Sequence, residues 1–353
     1  MRTPSFTVKY LNTLSCSLIS LLLVSSQIVA SQTHADQAEV NVYSARKEAL
    51  IKPLLDKFTE KTGTKVNLVT SKGDALLTRL KAEGKNSPAD VLITTDVGRL
   101  YRAKRAGVLQ SVNIPEIESR IAAQYRDSEG FWYGLSLRSR VIVYAPERVK
   151  ASELSSYTAL ANKHWHKRVC IRSSSNIYNQ SLVASMIAHN GVAKTDTWLK
   201  QFVANFAQPP RGGDRDQIKA VVAGMCDVAV VNSYYLGAML NSKDQKQVDI
   251  ANKVKLFWPD QKGHGAHMNI SGIAVTKAAK NKQQAIALIT FLSSAQSQQW
   301  YGAVNNEYPV VSGVKISDTL KSWGTFKADT LAVEKLGDKN NEAVKAMDRA
   351  GWK

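Results

Sequence analysis

The chain is 353 residues long, carries 47 Lys+Arg against 29 Asp+Glu for a formal net charge of +18, and is 44% hydrophobic. That length is more than one hydrophobic core usually serves, so two lobes are expected. The basic balance favours acidic partners or anionic surfaces, but the lysines are scattered and no basic helix, zinc finger or aromatic RNA-binding signature is present, which argues against nucleic acid.

Arg2 and Lys9 are the only charges ahead of an apolar run over residues 18–30. Small residues follow, and both Ile28-Val29-Ala30 and Thr33-His34-Ala35 offer a cut after a small residue. This order is that of a secretory signal peptide. Residues 1–35 are expected to be removed and the rest exported to the periplasm. A membrane span needs about 20 apolar residues, whereas this run is shorter and broken by Ser20, Ser25, Ser26 and Gln27. Cys16 precedes the apolar run instead of ending it, which argues against a lipid anchor. Losing Arg2 and Lys9 lowers the net charge by two. No later segment is apolar enough to span a membrane, so the exported chain is expected to be soluble.

Strands and helices then alternate. Residues 39–43 read as a strand. Residues 49–62 read as a helix with Leu50, Leu54, Leu55 and Phe58 on one face, Pro53 in its first turn and Gly63 as its stop. A strand at 65–69, a helix at 74–83, a buried strand at 91–93 and a helix at 97–106 follow. This βαβαβ order implies a mainly parallel, doubly wound sheet. Further strands are expected at 140–144, 169–171, 227–231 and 270–276, with helices at 180–189, 217–223 and 283–292. No repeat and no low-complexity linker interrupts the chain. Two lobes without a linker are expected to be joined by strands that cross between them more than once.

Beyond the leader two cysteines remain, Cys170 and Cys226, each at the edge of a predicted buried strand. An even pair in an oxidising compartment points to a disulfide, the alternative being two separate buried thiols.

Ligands of open α/β sheets bind just beyond the carboxyl ends of the strands. Three such ends carry polar or tyrosyl groups: Tyr43-Ser44-Ala45-Arg46, Arg172 through Tyr178 and Asn179, and Asn232-Ser233-Tyr234-Tyr235. Adjacent helical residues point about 100° apart, but at a strand-to-helix turn both hydroxyls of Tyr234 and Tyr235 can face a cleft. Tyr178 lies at the mouth of another strand in the same half of the chain. Oxygen donors favour hard cations. A phenol with an ordinary pKa of about 10 ionises at neutral pH only beside a strong cation. Three phenolates would neutralise Fe3+, and a bidentate anion such as carbonate could fill the open positions. Arg46 could hold that anion through a forked pair of hydrogen bonds. His164, His166, His264 and His267 lack zinc spacing with cysteines and read as surface or loop histidines. Arg138 and Arg140 bracket the expected hinge, suited equally to carboxylates and to ligand. No Gly-rich phosphate loop, serine nucleophile elbow or pair of catalytic carboxylates stands out, so no enzyme is expected.

Several stretches together resemble the periplasmic ferric-iron-binding proteins of iron ABC importers: residues 42–46, 87–92, 138–144, 178–182, 213–217, 232–235, 269–276, 291–294 and 307–310. The resemblance runs in order over nearly the whole exported chain. It implies an α/β, two-lobed periplasmic binding protein fold of type II, each lobe a mainly parallel sheet flanked by helices, with the ligand in the cleft. The expected partition is 36–137 with 262–312 in the N-terminal lobe and 138–261 with 313–353 in the C-terminal lobe. The resemblance further implies Tyr178, Tyr234 and Tyr235 as metal ligands for Fe3+, Arg46 as the holder of a synergistic carbonate or bicarbonate, an inner-membrane iron ABC permease as partner, and a monomeric carrier. Many members place a His-Tyr pair just after that arginine, where this chain has Lys47 and Glu48. An anion on Arg46 then completes the metal's sphere, the alternative being a carboxylate from Glu48. A rival reading keeps the fold but has it carry an oxyanion or small organic anion, dominated by Arg46 and the Ser-rich loop after Ile171.

Overall fold

A computed structural model describes residues 37–353. The expected signal peptide and its cleavage site lie outside the described residues. Eight strands organise the described residues: β1 Glu39–Ser44, β2 Lys65–Thr70, β3 Val91–Thr95, β4 Tyr133–Tyr144, β5 Val169–Cys170, β6 Val228–Asn232, β7 Lys255–Phe257 and β8 Met268–Val275. The sheet order is β2-β1-β3-β8-β4-β6-β5, with β7 on β4. Parallel pairing holds in β2-β1-β3 and in β5-β6, the products of strand–helix–strand units. The two long strands β8 and β4 run against their neighbours.

Strand β4 is the connection that lets two lobes form without a linker. Its residues up to Ser139 pair with β8, and from Arg140 onward it pairs with β6 and β7. All twelve of its residues are buried. The strand expected at 140–144 therefore starts seven residues earlier. Ser136, Arg138 and Ser139 hid that extension, because polar residues break an apolar pattern; here each is buried against a partner.

Helices form where their apolar faces meet these sheets. The helix Glu48–Thr62 buries Ile51, Leu54, Leu55 and Phe58 and stops at Gly63, whose φ of 71° requires the left-handed region. It begins one residue earlier than expected, so Pro53 falls in the second turn, where it removes an amide hydrogen bond. One buried cluster joins residues from β1–β3 and the first half of β4 with β8, Val310, Val333 and Leu336. Two others lie on opposite faces of the sheet formed by the second half of β4, β5 and β6. The tail after residue 312, expected with the second lobe, divides: Val333 and Leu336 pack with the first cluster, Ala343 to Trp352 with the second.

Cys170 and Cys226 form a disulfide, with Cα atoms 5.9 Å apart and a sequence separation of 56. Replacing both by alanine is expected to lower stability by about 4 kcal/mol on the chain-entropy model. Urea unfolding of oxidised protein and of the double variant checks this; equal midpoints would contradict it.

Candidate metal centre

A cavity of 440 Å³ opens where the carboxyl ends of β1, β3 and β6 converge. Its walls include Arg46, Arg138, Tyr178, Tyr234, Tyr235 and Glu307. The three tyrosines and Arg46 picked out from the sequence thus share one cavity. Glu48 begins the helix Glu48–Thr62, is exposed, and is not among the cavity's residues.

Both tyrosine-bearing segments are helix starts. The helix Ile177–Asn190 begins three residues before the expected 180, because the Asn176 side chain caps it by accepting from Tyr178 N at 3.2 Å. The helix Ser233–Leu240 follows β6 directly. All three phenols therefore sit in first helical turns, at the positive ends of helix dipoles, where negative charge is favoured. The rings of Tyr234 and Tyr235 lie 4.4 Å apart and tilted by 34°.

A buried carboxylate fixes both turns. Asp214, fully buried, accepts from Arg140 Nη1 and from Arg172 Nη1, each at 2.7 Å, and from Asn232 N at 3.0 Å. Arg172 opens the loop leading to Tyr178, and Asn232 immediately precedes the Tyr234 turn. Asn179 completes the frame: its Oδ1 accepts from Arg140 Nη2 at 2.6 Å, and its Nδ2 donates to Arg172 O and Ser173 O. Arg140 is thus committed to carboxylate and carbonyl partners, whereas Arg138 faces the tyrosines. The Arg138 guanidinium stands 5.1 Å from the Tyr234 ring centre and 5.9 Å from that of Tyr178.

Burial governs the state of the phenols. Burial pushes the Tyr234 phenol well up, repulsion from Tyr178 and Tyr235 adds to it, and Arg138 pulls the other way. Tyr235 is raised by burial, then by Tyr178 and Asp214. Tyr234 and Tyr235 are thereby held in the protonated form, a balance that a nearby multivalent cation would reverse. Burial works against the Arg138 charge, but Glu307 and the two tyrosines more than offset it. Arg46 has less of its fork free than the sequence implied, since its Nη2 donates to Glu307 at 2.5 Å and to Ser136 Oγ at 2.9 Å.

Sequence reasoning missed Glu307. It lies just past the helix Ala295–Asn305, after Asn306 at φ 54°, and is 4% exposed. The only available signal was an acidic residue inside one of the matching stretches. One histidine also departs from the surface reading: His267 is 2% exposed, burial depresses its pKa to about 3, and its Nδ1 has no partner. Among the described residues no group of three or more His, Cys, Asp or Glu is arranged to hold a metal, and no helix is long and apolar enough to cross a membrane.

A crossing-strand α/β fold with a cleft at its strand ends is that of a carrier that closes on a small cargo. The chain belongs to the bacterial extracellular solute-binding proteins, whose family model matches residues 54–328. It is 44% identical over 350 residues to Iron uptake protein A1 of Synechocystis, covering 96% of this chain and 97% of that one. It is 30% identical to the Fe(3+)-binding periplasmic protein of Serratia marcescens, covering 94% and 96%. A Trichodesmium protein solved in complex with iron and citrate ligands superposes with a TM-score of 0.87 at 48% identity, covering 90% of this chain and all of that one. Within the class, then, the chain is a member of the periplasmic iron-binding group.

Proposed function

We propose that this chain is the periplasmic carrier of an iron ABC importer, binding Fe3+ through Tyr178, Tyr234 and Tyr235 with a small synergistic anion on the arginine side of the cleft. The observation that carries this reading is the convergence of three phenols, from two separate helix starts, on one cavity that also holds Arg46 and Arg138. Three phenolates cancel the ion's charge, and oxygen donors suit its hardness. The absence of Glu48 from the cavity favours an anion over that carboxylate as the remaining ligand.

The carrier works as a single chain. Metal binds first to the tyrosines, which the Asp214 frame holds in place, and closure about β4 and β8 brings Arg46 and Glu307 over it. The loaded form docks on the permease, and reopening releases the ion. Loss of a phenolate charge by protonation, or reduction of the metal, unbalances the site and weakens the hold. No catalytic step is involved.

Titration of metal-stripped protein with ferric citrate, with and without bicarbonate, tests the reading. A visible tyrosinate-to-iron charge-transfer band is expected, saturating at one iron per chain. An oxyanion carrier of the same fold would stay colourless, and that result would refute the ferric assignment.

A further inference from the structure

The Glu307 carboxylate lies between two guanidinium groups, 2.5 Å from Arg46 Nη2 and 3.1 Å from Arg138 Nη2, with all three residues 4% exposed or less. Ser136 Oγ donates to the same carboxylate. The segment is anchored from behind: Glu307 N donates to Tyr301 O at 3.1 Å, and Tyr308 N to Leu137 O at 2.9 Å. Burial opposes the Glu307 charge, yet Arg46 and then Arg138 hold its pKa below the usual carboxylate range.

After these bonds Arg46 Nε, Arg138 Nε and Arg138 Nη1 remain buried without a partner, on side chains that line the cavity. Buried donors in folded proteins nearly always have an acceptor, so both guanidinium groups have hydrogen-bonding capacity left over for an acceptor brought into the cavity they line. Charge decides which. A ferric ion with three phenolates is neutral, and two arginines with one carboxylate leave their wall at a single positive charge. Lys47 and Arg215 also line the cavity and add to its positive charge, but Lys47 is exposed and Arg215, whose Nε is likewise buried without a partner, is half-buried overall and touches neither Glu307 nor the two arginines it pairs with.

We propose that Glu307 sets the charge of the anion bound with the metal: by cancelling one of two arginine charges it selects a small monoanion such as bicarbonate over multiply charged acids. The proposal rests on the ferric reading above. Neutralising Glu307 leaves the wall with two positive charges and loosens both Nη2 groups, so acceptors of higher charge gain.

The test compares apparent Fe3+ affinity, read from the charge-transfer band at neutral pH, with bicarbonate or with citrate as the anion. For Glu307→Gln the ratio of citrate-supported to bicarbonate-supported affinity is expected to rise by about tenfold or more over the unaltered protein. Arg46→Gln, which leaves the wall neutral, is expected to move the ratio the opposite way, and it decides the matter alone if circular dichroism shows Glu307→Gln unfolded. Glu307→Asp, which keeps the charge, is expected to keep the preference. A ratio unchanged within about twofold in a folded, coloured variant overturns the proposal, as does a shift of the same sign in both charge variants. If the unaltered protein forms no band with either anion, the ferric reading itself fails and the proposal with it.

Discussion

Replacing Tyr234 and Tyr235 together by phenylalanine is expected to abolish the visible band and to weaken Fe3+ binding by more than about 100-fold, above the ~10–100-fold that loss of an outer-sphere partner costs a metal site. The change removes two of the three proposed donors while leaving the aromatic rings in place. Phenylalanine keeps the 4.4 Å ring contact, and the Tyr234 hydroxyl accepts one long hydrogen bond, 3.4 Å from Asn232 Nδ2, besides its interaction with the Tyr235 hydroxyl that is lost with it. Deleting buried hydroxyls that lack strong partners also relieves desolvation. Thermal unfolding should therefore be unchanged or slightly raised while iron binding collapses. A double variant that still turns coloured and holds iron like its parent would show that the phenols do not ligate.

Asp214→Ala is expected to fail in the opposite manner, losing about 3–5 kcal/mol of stability because it leaves two buried or half-buried guanidinium ions without their carboxylate. Asp214 is the shared acceptor of Arg140, Arg172 and the Asn232 amide. Its loss frees the turns that place Tyr178 and Tyr234, so iron affinity should fall as well, although residue 214 is not itself a ligand. Asp214→Asn retains the shape but accepts from one arginine less well and carries no charge; an intermediate loss is expected. Urea unfolding gives the stability and the band gives the affinity. A stability change under about 1 kcal/mol for the alanine variant would mean that the arginines find other partners.

The two sites differ in how legible they are in the sequence. The tyrosines could be found because strand ends carry ligands in this class of sheet, and Tyr178 and the Tyr234-Tyr235 pair follow the apolar runs that become β5 and β6. The parallel units could be read from alternating periodicity, which packing on one face enforces. Asp214, Glu307 and the first half of β4 could not. Each is a buried charge or polar residue whose partner is distant in the chain: Arg46 and Glu307 are 261 positions apart, Arg140 and Asp214 74. Local pattern carries no trace of such pairings. The helices Val192–Ala204, Ala295–Asn305 and Asn340–Arg349 were not anticipated either, since each buries a few scattered residues beneath an otherwise polar surface. The contrasting fates of Arg138 and Arg140, two residues apart on β4, were undecidable for the same reason. The strand changes partners between them.

One close approach sets the geometry of the cleft. Gly237 follows Tyr234 by one helical turn, and a Cβ placed on it would lie 2.7 Å from Asn306 Cβ, nearer than such atoms pack. Asn306 immediately precedes Glu307, and Asn241 Nδ2 donates to its Oδ1 at 2.7 Å. The phenol-bearing helix and the charged wall therefore rest against each other with only a glycine hydrogen between them. That contact makes the spacing between the two walls a property of backbone packing, set by a residue without a side chain and not by the side chains that line the cavity.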